Sequence, residues 1–123
     1  CPAFAIIANN ADTDAQLFET LYQALPQRED ETEPMFNSLK WRHNNVFITV
    51  VIPRDKHRPA CYSAEGDAQM LISPGALDMG GLIITPRKED FDRIDTPLLE
   101  ALFKEVGMPQ NTFEEVKQKV ANP

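Results

Sequence analysis

The stretch MFNSLKWRHNNVFITVVIPRDKHRPACY, from Met35 to Tyr62, decides the fold, because it predicts a β-hairpin. The residues from Met35 to Trp41 form a first extended run, and a polar turn follows at 42–45. The residues from Val46 to Ile52 are rich in β-branched side chains, which favour strands. The sequence therefore predicts two adjacent antiparallel strands near the middle of the chain.

The second strand is followed by a basic loop, PRDKHRP, which is bounded by Pro53 and Pro59. This loop contains three of the 12 Lys and Arg residues and one of the two histidines, in a chain of formal charge -7. A positive loop at the end of a buried strand favours an anionic ligand. The alternative is a solvated strand exit, whose cations pair with the surplus acids of the chain.

Four residues of the basic loop are the candidate anion- or phosphate-binding residues. Arg54 and Arg58 suit bidentate contacts with phosphate or carboxylate, whereas Lys56 offers a point charge. His57 can donate to an anion or exchange a proton near neutral pH. Because the residue before a proline favours an extended backbone, we expect the two arginines and the lysine to lie on one side of the loop.

Composition indicates one domain, residues 1–123, with enough apolar residues for a core. No apolar run approaches 18 residues, which argues against a membrane span, and the acidic balance argues against nucleic acid as a partner. Cys1 and Cys61 do not make a disulfide framework, which fits a cytoplasmic protein. Because the chain starts at Cys1, we expect it to be the C-terminal part of a longer protein.

Apolar periodicity assigns the elements before the hairpin. The continuous apolar run Ala3–Ala8 predicts a buried strand. Thr13, with Gln16 three residues on, has capping-box spacing and predicts a helix whose apolar stripe includes Leu21. The acidic segment QREDETEP, at 27–34, predicts an exposed loop.

The elements after the hairpin are two short apolar runs and three helix starts. They lie at 69–73 (QMLIS), 82–85 (LIIT), 85–86, 96–97 and 111–112. The second apolar run should be a strand that places Ile83 in the core. The whole order predicts an α+β fold with a mostly antiparallel sheet of about five strands. One helix follows the first strand, and two or three helices lie at the C-terminus.

The sequence predicts neither a catalytic group nor a metal or cofactor within these residues. His43 and His57 lie in different loops, and neither has a second histidine at metal-ligand spacing. The sequence also has no Gly-x-Ser-x-Gly motif.

Two stretches resemble the C-terminal region of diadenosine tetraphosphate phosphorylases and the related GDP-sugar phosphorylases. FNSLKWRHNNVFITVVIPRDKH is similar to the Tyr/Phe-Asn-x-Leu … Val-Pro-Arg segment of that family. SPGALDMGGLIITPRKEDFDRIDTPLLEALFKEVGMP is similar to the family's Asn-x-Leu-Gly-Phe-Ala-Gly-x-Leu-Leu-Val stretch, its following helix and its closing Leu-x-x-Val-Gly-x-Pro. The resemblance covers residues 35–109.

This resemblance implies a histidine-triad-like fold and a role in nucleotidyl transfer. In that superfamily, a histidine of a His-x-His-x-Gln/His motif attacks the α-phosphorus of a nucleotide. The present sequence has no such motif, so no catalytic residue is assigned and we expect the chain alone to be inactive. The resemblance implies an N-terminal catalytic half as partner and a nucleotide or nucleotide sugar as ligand. A non-catalytic interaction module on the same scaffold is the alternative.

Overall fold

The computed structural model describes residues 1–122 and has an α+β fold. Its strands and helices are β1 (Phe4–Ala8), α1 (Ala11–Ala24), β2 (Phe36–His43), β3 (Val46–Pro53), α2 (Ala76–Met79), α3 (Lys88–Arg93), α4 (Thr96–Val106) and α5 (Gln110–Ala121). The sheet has the order β1-β3-β2, and both pairings are antiparallel. The predicted helix after the first strand and the three C-terminal helices are confirmed. No helix within residues 1–122 has the length and apolar character needed to span a membrane.

The predicted hairpin is confirmed, but its turn is shorter than the predicted segment 42–45. Strands β2 and β3 pair continuously from Phe36↔Pro53 to His43↔Val46, so only two residues remain for the turn. Those residues, Asn44 and Asn45, have φ angles of 47° and 65°. Two-residue hairpin turns favour this left-handed backbone because it matches the twist of the strands, and asparagine tolerates it.

The main core lies on one face of the sheet, under α1 and α5. Leu21 of α1, Val51 of β3 and Val116 of α5 are at most 3% exposed, which confirms the predicted core position of Leu21. Leu17, from the same predicted stripe, is 44% exposed, so the stripe is not buried along its whole length. The predicted start of this helix is wrong by a few residues. Asn10 is the N-cap, and its side-chain oxygen accepts a hydrogen bond from the N–H of Thr13 at 2.8 Å.

The predicted count of about five strands is wrong, because segments 69–73 and 82–85 do not pair with the sheet. The first segment buries Met70 and Ile72 in a second apolar cluster against Leu102 of α4. Packing against a helix therefore replaces strand pairing there. The N–H of Leu71 in this segment donates to the side chain of Asp90 instead of to a neighbouring strand.

The second segment is held by a buried carboxylate rather than by a strand. Asp78 of α2 accepts hydrogen bonds from the N–H groups of Gly75 at 2.9 Å and of Ile84 at 3.1 Å. This loop leaves Ile83 half-buried and Leu82 exposed, so the prediction that Ile83 belongs to the core is also wrong. Apolar composition alone did not distinguish a strand from a loop fixed by a side chain.

A second buried carboxylate, Asp90 of α3, fixes the segment that begins at residue 69. Arg87 donates to both carboxylate oxygens at 2.8 and 2.9 Å, and Arg93 donates at 2.9 Å. The N–H of Leu71 donates at 3.0 Å. These donors, with Arg87 the strongest, hold the pKa of Asp90 well below its usual range, although desolvation opposes them.

We expect Asp90→Asn to remove part of the acid sensitivity of the fold. The folded-state pKa of Asp90 lies below the unfolded value of about 3.9. Its contribution to stability is therefore fully present above that value and is lost as the pH falls towards the folded pKa. Urea unfolding at neutral pH should show a large loss of stability in the variant, and the loss should shrink as the pH falls below about 4.

Asp92→Asn provides the matched control, since Asp92 lies in the same helix with a half-exposed side chain paired to Lys88. Its effect should be small at every pH, as is usual for exposed ion pairs. A difference between Asp90→Asn and the parent protein that stays constant from neutral to acidic pH would contradict this assignment.

Candidate functional site

The basic loop 53–59 leaves the end of β3 and is anchored to the end of α4. The N–H of Asp55 donates to the carbonyl of Val106 at 2.8 Å, and Arg54 forms an isolated antiparallel bridge with Gly107. The N–H of Met108 also donates to the carbonyl of Pro53 at 3.1 Å. The backbone of the loop is therefore fixed on the side that faces α4.

Arg54 is the buried cation of the loop, with 8% of its surface exposed. One terminal nitrogen donates to Asn37 Oδ1 at 2.7 Å and to the carbonyl of Pro74. The other donates to the carbonyls of Lys56 at 3.0 Å and His57 at 2.8 Å. The guanidinium group thus joins three segments of the chain: β2, the basic loop and the loop that precedes α2.

The charge of Arg54 is buried without a direct carboxylate partner among residues 1–122. Desolvation lowers the pKa of Arg54, and the negative charge of Asp78 acts in the opposite direction. Its Nε is buried and has no hydrogen-bond partner in the described part of the chain. Carbonyl dipoles, rather than an ion pair, therefore carry most of the compensation for this charge.

The other three predicted site residues are exposed, and each has a different partner. Lys56 Nζ lies 3.1 Å from Glu105, and His57 Nε2 lies 3.7 Å from Glu31. The guanidinium of Arg58 stacks over the ring of Tyr62 at 4.2 Å. The structure therefore does not bring the two arginines and the lysine together on one side of the loop. The alternation expected from sequence is absent because Arg54 turns inward.

Glu105 is the most strongly fixed of these partners. The same oxygen accepts the N–H of Ala60 at 2.8 Å and Lys56 Nζ at 3.1 Å. The hydrogen bond from Ala60 is the main reason that the pKa of Glu105 lies below its usual value, and Lys56 adds to the effect.

The acidic segment 27–34 lies beside the basic loop, a contact that the sequence analysis missed. Arg28 donates to the Asp55 carboxylate at 3.1 Å, and Glu31 faces His57. The opposite net charges of the two loops could have indicated this contact in the sequence. Between them lies a cavity of about 430 Å³ whose lining includes Glu31, Asn37, Arg54 and His57. No cluster of three metal-ligating side chains occurs within residues 1–122.

The sheet face opposite the main core is apolar and partly open. Ile7, Ile48 and Trp41 lie directly opposite one another across β1, β3 and β2, so they form one row on this face. Ile7 is 65% exposed and Trp41 is 47% exposed. The next row, which is Ala5, Val50 and Leu39, is also apolar. Contiguous exposed apolar surface of this kind marks interaction sites.

Comparison with known proteins gives one family. No curated protein and no solved structure matches the chain. A family model described as "GDPGP1-like, C-terminal domain" matches residues 30–123, which is most of the chain and includes the hairpin, the basic loop and the three C-terminal helices. The chain therefore belongs to the GDPGP1-like C-terminal domain family, a family related to the GDP-hexose phosphorylases.

Proposed function

We propose that this chain is the C-terminal domain of a histidine-triad-like nucleotidyltransferase or phosphorylase that acts on a nucleotide or nucleotide sugar. In this proposal, the catalytic His-x-His-x-Gln/His motif belongs to an N-terminal half of the same protein. The observation that carries the proposal is the family match over residues 30–123. The domain itself would supply an interaction surface and part of the substrate pocket.

The open sheet face supports a docking role towards the catalytic half. Its apolar row, Ile7, Ile48 and Trp41, spans all three strands, and Ile7 and Trp41 are exposed. Leu82 and Ile84, in the loop after α2, are also more than half exposed. Burying such side chains against another protein surface contributes roughly 25 cal/mol for each Å² of apolar area removed from water. A domain that works beside a catalytic half would gain stability from this contact.

The basic loop supports a role in binding phosphate, in which the buried and the exposed residues do different things. Arg54 holds the loop through its contacts with backbone carbonyls. Lys56, His57 and Arg58 remain on the surface, and they can exchange their present partners for an anionic oxygen. Exposed ion pairs contribute only about 0–1 kcal/mol to the stability of the fold. Replacing them with a phosphate contact therefore loses little free energy. The adjoining cavity of about 430 Å³ has space for part of a nucleotide sugar.

An anion titration of the isotope-labelled domain tests the role of this loop. At low ionic strength, pyrophosphate and a GDP-hexose should shift the amide resonances of residues 54–60 before those of other regions. The shifts should weaken steeply with added salt, because the Debye length falls to about 10 Å at 0.1 M ionic strength. Lys56→Gln should reduce the affinity for both ligands, since it removes one of the exposed cations.

Lys88→Gln is the control, because Lys88 is an exposed cation far from the loop in sequence and is paired with Asp92. It should leave both titrations unchanged. Shifts scattered over the surface, or equal effects of the two lysine variants, would contradict an anion site in the loop. That result would instead favour the non-catalytic interaction module, in which the loop cations serve only their present internal partners.

A further inference from the structure

Arg28 differs in charge from the segment to which it belongs. It is the only cation of the acidic segment 27–34, and Asp55 is the only acid of the basic loop 53–59. The two side chains pair with each other at 3.1 Å, so one ion pair joins the minority charges of the two loops. Arg28 therefore lies beside the cations of the basic loop, although the residues that follow it in sequence are acids.

Local hydrogen bonds fix the backbone around Arg28 and leave part of its side chain free. The carbonyl of Arg28 accepts the N–H of Glu31 at 3.2 Å, and the side chain of Gln27 donates to the carbonyl of Glu31 at 3.0 Å. The guanidinium donates through Nη2 alone, to the carbonyl and the carboxylate of Asp55. Within residues 1–122, Nε and Nη1 of Arg28 have no acceptor. The side chain therefore has donors for a second acceptor without losing Asp55.

Arg28 lines a cavity of about 190 Å³, which we call the middle cavity. Buried Arg54, whose Nε has no partner in the described part of the chain, lines it as well. The middle cavity shares Arg54 and Glu31 with the cavity of about 430 Å³ between the two loops. It shares Asp55 with a cavity of about 800 Å³, whose lining includes Lys56. The middle cavity therefore lies between the other two, with Arg28 on one side of Asp55 and Lys56 on the other.

The start of α5 adds to the positive potential of the middle cavity. Pro109, the N-cap of this helix, and Thr112, in its first turn, both line the cavity. Pro109 provides no side-chain acceptor for the first N–H groups of α5, and no acidic residue occurs in the first turn. Free N–H groups at the start of a helix favour a nearby anion, so the helix acts in the same direction as the two arginines.

Two carboxylates oppose an anion in the middle cavity, those of Glu31 and Asp55. Asp55 is the direct competitor, because it accepts from Nη2 of Arg28. Its side chain is 43% exposed, so it can turn towards water when another anion approaches. A ligand with two linked phosphates carries more negative charge than a carboxylate, and it can contact cations on both sides of Asp55. These contacts favour a diphosphate over a ligand with a single carboxylate.

We propose that Arg28 is a further anion-binding residue, which donates Nε and Nη1 to one phosphate of a diphosphate ligand while Lys56 contacts the other phosphate. This inference rests on the proposed role of the basic loop and adds a residue from outside that loop. Asp55 then competes with the ligand, since both accept from Arg28. The diphosphate group of a nucleotide sugar has the required chemistry.

Titration of the domain with pyrophosphate at low ionic strength tests the role of Arg28. Arg28→Gln should weaken binding roughly five- to tenfold, because it removes hydrogen bonds from a charged donor at an exposed position. Asp55→Asn should tighten binding about two- to fivefold, because it removes the competing carboxylate. The two members of one ion pair would thus have opposite effects. The Nε–H resonance of Arg28 should also shift as pyrophosphate binds.

The double variant Arg28→Gln/Asp55→Asn separates direct binding from mere neutralisation of Asp55. If Arg28 contacts the ligand, Arg28→Gln should weaken binding in the Asp55→Asn background at least as much as in the parent protein. An effect of Arg28→Gln that vanishes in that background would overturn the proposal. So would an Nε–H resonance of Arg28 that does not move on saturation with pyrophosphate.

Arg42→Gln is the matched control, because Arg42 is also exposed and donates through one terminal nitrogen, to Asn45 Oδ1 at 2.7 Å. It lies at the turn end of β2, whereas the basic loop leaves the opposite end of β3. Its effect on pyrophosphate binding should stay within about twofold, since only the net charge changes. Circular dichroism confirms that each variant is folded.

The control and the basic-loop variant together distinguish the two proposals. Equal effects of Arg28→Gln and Arg42→Gln would overturn the inference about Arg28. If Lys56→Gln still weakened binding in that case, the proposed role of the basic loop would stand. Pyrophosphate that does not bind the parent protein would contradict both.

Discussion

Replacing Leu21 with alanine should lower the free energy of unfolding by about 2–5 kcal/mol, the range for a leucine truncated in a well-packed core. Leu21 is 3% exposed and lies in the cluster that joins α1, α5 and the sheet. Its removal leaves a cavity between three elements that cannot all move inward together. Urea unfolding monitored by circular dichroism measures the loss directly.

Leu17→Ala is the control for this measurement, since Leu17 belongs to the same helix but is 44% exposed. Its cost should be well below that of Leu21→Ala, because little packing is lost at a partly exposed position. The same helix propensity change applies to both variants, so the difference between them reports burial alone. Equal losses would show that Leu21 does not lie in the core.

Replacing Arg54 with alanine should destabilise the domain by at least about 1.5–3 kcal/mol, the range for hydrogen bonds to a charged group. The substitution leaves Asn37 Oδ1 and the carbonyls of Pro74, Lys56 and His57 without their donor. Arg54→Lys should recover only part of the loss, because an ammonium group cannot span acceptors on three segments. Thermal unfolding together with amide exchange of the basic loop measures both effects.

Arg58→Ala is the matched control for the arginine variants. Arg58 lies in the same loop, but it is exposed and contacts only the ring of Tyr62 in the described contacts. Loss of an exposed cation–π contact costs about 0.5–1 kcal/mol. If Arg54→Ala and Arg58→Ala have the same effect, Arg54 does not hold the loop together.

The hairpin and the burial of Leu21 could be predicted because each follows from a local sequence pattern. The β-branched residues of 46–52 and the polar turn before them indicate a hairpin, and helical spacing around Leu21 indicates the buried face of α1. The strands predicted at 69–73 and 82–85 failed for a reason that is not local. Asp90 accepts the N–H of Leu71 and Asp78 accepts the N–H of Ile84, and no pattern within an apolar run reveals a carboxylate outside it.

In the candidate site, too, the contacts between residues distant in sequence could not be predicted. The position of the basic loop after β3 followed from the sequence, because the charged residues and prolines are contiguous. The inward orientation of Arg54 could not be predicted, because it depends on carbonyls of residues as distant in sequence as Pro74. Whether the exposed cations of the loop bind an anion stays a prediction.

The two-residue turn of the hairpin also affects the order in which the fold assembles. Hairpins form in about 1–10 μs, since little chain entropy is lost when neighbouring segments meet. Strand β1 instead pairs with β3 from the far end of a long intervening segment, as in the pair Phe4↔Val51, and closing that segment costs more entropy. We expect β2 and β3 to form an early nucleus and β1 to join last. During refolding, β3 therefore has an unpaired edge until β1 joins it. We expect aggregation, and the need for chaperones, to be greatest in that period.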